Sequence, residues 1–212
     1  MNWLTKLERR FGRYTIPNLI SILVGGQIVV YAVELFVNRY ITYYLSLTRS
    51  ALFDGELWRL VTFLFVPSGS GSILNFALSA YFLWFIGSAL EGAWGSFRFD
   101  LYVLAGAAGA VLACLLTGAG GNYYLILSLT LAFAMLYPDM QVLLFFFIPI
   151  KVKYLGILVG AGWVLTFLTT SWLGRANQLL SMAGFFLFFG PMLWSDIRAW
   201  WRREQWRRRN RR

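Results

Sequence analysis

Long apolar stretches alternate along the chain with short clusters of Gly, Pro and charge. A helix needs about 20 apolar residues to cross a hydrocarbon core of roughly 30 Å. The candidate runs are Ile16 to Val37, Ile73 to Leu90, Phe97 to Thr117, Tyr123 to Tyr137, Tyr154 to Trp172 and Ala176 to Trp194. They predict six membrane-spanning helices. The first run is too long for a signal-peptide core and no small-residue cleavage site follows it, so it is expected to remain as a span. The fourth is short for a bilayer, and is expected to be surrounded by other helices or to begin inside a cavity.

Two further apolar stretches are too short to cross. Leu57 to Val66, preceded by Asp54 and Gly55 and stopped by Pro67, reads as a short helix dipping into the outer leaflet. Val142 to Ile150, rich in β-branched and aromatic residues and holding Pro149, reads as an interfacial loop or edge strand. Residues 1–15 carry Lys6, Arg9, Arg10 and Arg13, with Trp3, Leu4, Leu7 and Phe11 at helical spacing. That pattern suits a basic amphipathic anchor lying in the interface.

Composition supports this reading. Of 212 residues, 59% are hydrophobic and only 13% charged, against roughly 25% charged in an ordinary soluble domain. The expected fold class is an all-α polytopic membrane protein: the anchor at 1–15, one six-helix membrane domain at 16–194, and a tail at 195–212. The formal charge of +10 is informative through its placement. The N-terminus, the loop holding Arg98, the loop holding Lys151 and Lys153, and the tail together carry 15 Lys and Arg; the other side carries only Arg39, Arg49, Arg59 and Arg175. The positive-inside rule then puts both termini in the cytoplasm, as an even number of spans requires.

The tail from Ser195 to Arg212 carries eight Arg against one Asp and one Glu, interleaved with Trp200, Trp201 and Trp206. Arg beside an anionic leaflet contributes about 1 kcal/mol each, and Trp favours the headgroup layer. Arg202, Arg203, Arg207, Arg208 and Arg209 are therefore expected to bind membrane lipids or an acidic partner, and no nucleic acid is expected.

The chemical inventory is narrow. The single cysteine, Cys114, lies in an apolar run and reads as packing. There is no histidine, so the usual general base and the commonest metal ligand are both missing. No phosphate loop, zinc-ligand cluster or dinucleotide motif occurs; no cofactor and no metal site are expected. Glu34, near the outer end of the first span, is an expensive residue in lipid, and a salt bridge to Arg39, Arg49 or Arg59 is the expected arrangement. Gly156 and Gly160 form a small-xxx-small pair suited to close helix packing within the bundle.

Four segments carry a family resemblance. Gly55-Glu56-Leu57-Trp58-Arg59-Leu60-Val61-Thr62 is similar to the G-x-x-W-R-x-x-T motif in the first loop of the rhomboid superfamily. Trp84-Phe85-Ile86-Gly87-Ser88-Ala89-Leu90-Glu91 resembles that family's second-helix pattern of W, G and L-E. Leu131-Ala132-Phe133-Ala134, running to Pro138-Asp139, resembles the end of its fourth helix, and Phe146-Phe147-Ile148-Pro149-Ile150-Lys151-Val152-Lys153 the loop that follows in many bacterial members. The resemblance covers most of residues 15–194. Its proteases use a serine in G-x-S-G and a histidine in A-H-x-G-G-F; here Gly121-Asn122-Tyr123-Tyr124 and Leu180-Ser181-Met182-Ala183-Gly184-Phe185 occupy those places. Tyr123 thus stands at the nucleophile position and Ser181 at the base position, while the oxyanion-binding H-x-x-x-N falls on Asn75 and Ser79.

The resemblance implies a non-catalytic member, a pseudoprotease similar in logic to derlins. A serine hydroxyl needs an adjacent base, and Lys6, Lys151 and Lys153, the only lysines, map to the cytoplasmic edge. The expected role is to bind transmembrane clients or partner proteins in quality control or scaffolding, through a polar cluster of Asn75, Ser79, Tyr123 and Ser181. Trp58 and Arg59 either shape and thin the outer face or simply anchor the first loop. The alternatives are a structural subunit of a larger membrane complex, or an intramembrane serine peptidase of unorthodox chemistry. Without disulfides or targeting signals, a bacterial inner membrane is the expected location.

Overall fold

The computed structural model of the protein describes residues 8–10, 12, 15–67, 72–144 and 148–190. Its first long helix, α1 (Leu19–Phe36), begins just after Pro17, with Asn18 in the left-handed region at φ 58°, a conformation that Asn tolerates better than most residues. The loop that follows, the one expected on the outer side, is built from short pieces: α2 (Ile41–Leu45), β1 (Leu47–Thr48), α3 (Arg49–Phe53), α4 (Arg59–Thr62) and a 3-10 turn at Phe63–Phe65. Val66 is extended before Pro67, as the residue preceding a proline must be. The short helix expected between Leu57 and Val66 is therefore present, as α4 and its 3-10 continuation.

Next come α5 (Ile73–Trp94) and α6 (Ser96–Thr117). The Ser72 hydroxyl caps α5 by accepting from the Asn75 N–H at 3.2 Å. Gly95 between them has φ +81° and Gly118 after α6 has φ +98°, backbone values that favour glycine. After Gly118, β2 (Ala119–Gly120) pairs antiparallel with β1, Leu47 opposite Gly120 and Thr48 opposite Ala119. This two-residue ladder ties the outer loop to the far end of α6. The chain continues through α7 (Tyr123–Leu136), a hairpin of β3 (Gln141–Leu144) and β4 (Ile148–Lys151), then α8 (Val152–Thr169) and α9 (Trp172–Ser181). The stretch holding Pro149 is thus paired as a hairpin, with Val142 opposite Ile150.

The bundle is all-α and polytopic. Among the described residues, α1, α5, α6 and α8 are long and apolar enough to cross a membrane, and α7 is a shorter apolar helix. Four of these five lie within a few residues of the predicted runs; the second span extends past Leu90 to Trp94. The sixth differs. Its helix starts at Trp172, four residues before the expected Ala176, turns out of helical geometry at Met182, and resumes over 183–190. Ser171 provides the earlier start by accepting from the Gly174 N–H at 3.4 Å. α9 carries Arg175, Asn177, Gln178 and Ser181, and the end of the expected run, 191–194, lies outside the described residues.

α6 is the central helix. More than half of its apolar span is buried inside the protein, whereas α8 is almost entirely at the surface. Phe99, Tyr102, Val103, Ala110 and Cys114 of α6 are fully buried or nearly so, and Cys114 packs in the core as expected. α6 lies closest to α9, and two glycines allow it. A side chain on Gly109 would collide with the Leu180 carbonyl, and one on Gly184 would meet the Tyr102 carbonyl at 2.7 Å. Gly156 lies against Ala134 and Gly160 within reach of Leu131, so the small-residue pair packs α8 on α7 within the chain.

At the opposite end from Tyr123, two buried carboxylates hold the start of α1. Glu91 accepts from the Asn18 N–H at 2.8 Å and from the Ser96 hydroxyl at 2.9 Å, while Asp100 accepts from the Ile16 N–H at 2.8 Å. Negative groups at a helix N-terminus are favoured by the exposed N–H groups and the helix dipole. Beside them Glu8 pairs with Arg98 at 3.1 Å. The remainder of the expected N-terminal anchor lies largely outside the described residues.

Candidate functional site

Tyr123 is the first residue of α7 and stands 64% exposed, its ring edge-on to Tyr124 with centroids 5.1 Å apart. With Ser79 of α5 it lines a cavity of about 500 Å³ between α5, α7 and α8, to which Pro67, Ile126 and Thr130 also contribute. Two of the four expected polar residues therefore share one cavity. The other two do not join them. Asn75 is exposed, one helical turn before Ser79. Ser181 is fully buried at the end of α9 and donates to Asn177 Oδ1 at 3.1 Å. The expected four-residue cluster is thus a pair: Asn75 lies on the same face of α5 as Ser79 but in the exposed first turn of the helix, and Ser181 is committed to its own helix.

The position of Tyr123 is fixed by its neighbour. Asn122 is buried and donates from Nδ2 to the carbonyls of Leu64 at 3.3 Å and Val66 at 2.8 Å. Gln27 of α1, also buried, donates to the same Leu64 carbonyl at 3.2 Å. Two amides from different helices thus hold the last turn of the outer loop, satisfying a carbonyl that nothing in lipid would bond. Phe65 lies directly on Gly26, where a side chain would collide with its ring. The sequence indicated Asn122 only through its place in the degenerate G-x-S-G segment, and Gln27 only as a lone amide in an apolar run, a residue that has to find a partner.

Trp58 and Arg59 separate completely. Trp58 is 55% exposed, whereas Arg59 is 3% exposed. Its Nη1 donates to the carbonyls of Tyr43 and Ser46, both at 2.7 Å, Nε donates to Glu56, and the guanidinium lies 5.9 Å from the Tyr43 ring centroid. Of the two readings offered for this pair, Arg59 follows the anchoring one: it points inward and staples α2, β1 and α4 together. Glu34 corrects another expectation. Among the described residues it forms no salt bridge with Arg39, Arg49 or Arg59, and its Oε2 is buried without a hydrogen-bond partner. Arg59 is already held by Glu56 and two carbonyls, Arg49 lies over the Phe53 ring, and Arg39 is exposed.

A second, smaller cavity of about 230 Å³ continues past Tyr123 between α7 and α8, lined by Tyr124, Gly162, Trp163 and Thr166 among others. The two cavities share Tyr123, Leu127 and Val159, so together they follow the α7–α8 seam. The opposite ends of these helices carry the lysines. Lys151 and Lys153 flank the start of α8, next to the end of α7, and at 1.5 Å per residue they lie roughly 20 Å from Tyr123 along the bundle. Lys6 and the tail arginines Arg202, Arg203, Arg207, Arg208 and Arg209 lie outside the described residues.

These features belong to a helical membrane bundle with two adjoining, largely apolar cavities beside Tyr123. No curated protein matches the chain. A family model does match, over residues 19–189, which takes in every long helix from α1 to the segment after α9. The chain belongs to the family of integral membrane proteins described as eukaryotic integral membrane protein (DUF1751).

Proposed function

We propose that this protein is a non-catalytic, rhomboid-like membrane protein that holds transmembrane segments of other proteins in the cavity between α5, α7 and α8. The observation that carries the reading is the replacement of a nucleophile by Tyr123 at the mouth of that cavity, in a chain without histidine. A phenol at the start of α7 partly fills the place where a small hydroxyl would attack, and no imidazole exists to take its proton. Lys151 and Lys153, at the opposite end of the bundle, lie too far away to substitute for one. What remains is a largely apolar cavity lined by three hydroxyl-bearing side chains, of which Thr130 already donates to the Ile126 carbonyl, leaving Ser79 and Tyr123 suited to hydrogen-bonding a helix that is incompletely satisfied in lipid.

Several features support a role in holding rather than cutting. The outer loop is fastened rigidly by Arg59, Asn122 and Gln27, so the cavity is a preformed site. α8, which forms one of its walls, has little of its own surface buried and is free to contact a second protein. Both termini are assigned to the cytoplasm on the charge distribution, with the basic tail against the inner leaflet or an acidic partner. The family's description as eukaryotic favours a membrane of a eukaryotic cell over the bacterial inner membrane suggested by the sequence.

A photo-crosslinking residue at position 123, compared with one at exposed Ile157 on α8, tests this in native membranes. Adducts with membrane-embedded proteins in excess at position 123 are expected. Equal labelling at both positions, or cleaved fragments of the bound segment that disappear in Tyr123→Phe, would overturn the reading.

A further inference from the structure

A larger cavity than either of those beside Tyr123 lies on another face of α5: an open groove of about 730 Å³ between α1 and α5, with almost wholly apolar walls. Small residues leave the space. Gly25 and Ala32 of α1 and Ala77 and Ala80 of α5 line it, and a side chain added at Gly25 would meet nothing within 4 Å. The buried rings of Tyr31 and Phe76, stacked with centroids 4.0 Å apart, back it. The groove is open at one end and blind at the other. It starts at the well-exposed Phe36 and Ile73, where α1 ends and α5 begins, and stops at Ser21 and Trp84. Just beyond, Ile20 packs so closely on Gly87 that a side chain added there would collide with it. At 1.5 Å per residue the groove runs roughly 17 Å along α5 and 22 Å along α1, so it ends partway through a hydrocarbon core of about 30 Å.

The open end is positively charged. The first turn of α5, a helix of 22 residues, stands there with its unpaired N–H groups and the positive end of its dipole. Arg39 follows Phe36 by three residues, is exposed and, among the described residues, forms no salt bridge. Glu34 of α1 projects about 100° around the helix from Leu35, which lines the groove. We infer that the groove holds an acyl chain of a phospholipid from the leaflet at its open end, with the lipid phosphate against Arg39 and the start of α5. A second membrane-spanning helix would need a seam running the whole length of the pair, whereas an acyl chain entering from one leaflet ends where this groove ends. Arginine and a helix N-terminus both suit a phosphate. An anionic headgroup is favoured over a zwitterionic one, whose ammonium group would meet the same positive end. The inference stands independently of the client-binding reading.

The test is native mass spectrometry of the full-length protein, delipidated in mild detergent and titrated with phosphatidylglycerol or phosphatidylcholine of equal chain length. One tightly held phosphatidylglycerol per chain is expected, with phosphatidylcholine held more weakly. Arg39→Gln should weaken phosphatidylglycerol about fivefold, the effect of one arginine beside anionic lipid, and remove most of the difference between the two lipids. Gly25→Phe fills the groove and should abolish the tight site for both lipids without lowering Tm; Ala77→Phe, on the facing wall, serves if that variant does not fold. A tight site that persists in both filled variants overturns the groove as its location. Equal binding of the two lipids, unchanged in Arg39→Gln, overturns the headgroup contact. A dimer that Gly25→Phe separates makes the groove an interface between copies of this chain and overturns the lipid occupant.

Discussion

Removing the Arg59 side chain should destabilise the outer loop more than any other single surface-loop substitution. In Arg59→Leu, the carbonyls of Tyr43 and Ser46, each bonded at 2.7 Å, lose a charged donor in a site where Arg59 itself is 3% exposed. Hydrogen bonds to charged groups contribute about 1.5–3 kcal/mol each. Glu56 adds little to the loss, because its side chain is 31% exposed and turns to solvent once unpaired. The expected cost is therefore roughly 3–5 kcal/mol, in the range for breaking one side of a buried ionic contact. At about 2–4 °C per kcal/mol for a protein of this size, Tm should fall by roughly 6–20 °C. Fluorescence-detected size-exclusion chromatography after heating in mild detergent gives the Tm, and limited proteolysis between residues 38 and 58 localises the effect. Glu56→Gln is the internal control, and its cost should stay below about 1 kcal/mol. A Tm for Arg59→Leu within about 2 °C of the unmodified protein, with unchanged proteolysis, would refute the claim that this guanidinium staples the loop.

Other outcomes follow from the same contacts. Asn122→Ala removes the donor to Leu64 and Val66 and should cost about 1–3 kcal/mol, with faster cleavage of the same loop; an unchanged cleavage rate would contradict it. Gly109→Ala should fail to fold or lower Tm far more than Gly160→Ala, since the first would strike the Leu180 backbone and the second finds Leu131 at an ordinary 3.7 Å; equal effects in a thermal melt would count against the α6–α9 packing described. Glu34→Gln should leave Tm unchanged or raise it, because the carboxylate has a buried oxygen without a partner, whereas a fall of more than about 3 °C would indicate an ion pair.

The spans were legible because length and hydropathy are one-dimensional properties of a membrane helix, and Ser96–Thr117 begins within one residue of the predicted Phe97. The start of the sixth lies four residues earlier than expected, for a physical reason. Its early turns hide their polar residues in local contacts: Arg175 donates to the carbonyls of Phe167 and Leu168 at 2.9 and 3.0 Å, closing the end of α8, while Gln178 and Ser181 are buried. A window average cannot separate such a helix from loop. Side-chain direction was the other gap. Nothing in Trp58-Arg59 says which of the two turns inward, and Asn75 and Ser79 share a motif and a helix face yet differ in surroundings because Asn75 lies in the exposed first turn of α5 and Ser79 one turn deeper. Long-range amide contacts such as Gln27 to Leu64 need the fold before they can be seen. The resemblance located Tyr123 and Ser181, but the α8 wall of the cavity beside Tyr123, with Gly162, Trp163 and Thr166, lies outside every motif the sequence offered.

Purification of the full-length protein from native membranes in mild detergent, followed by quantitative mass spectrometry with intact-mass analysis of what remains bound, tests the central claim most directly. The account predicts a heterogeneous set of substoichiometric membrane proteins, each recovered uncleaved, and depleted when the 195–212 tail is removed if its arginines help to recruit them. A single partner at fixed stoichiometry, or captured proteins cut within a transmembrane segment, would contradict it.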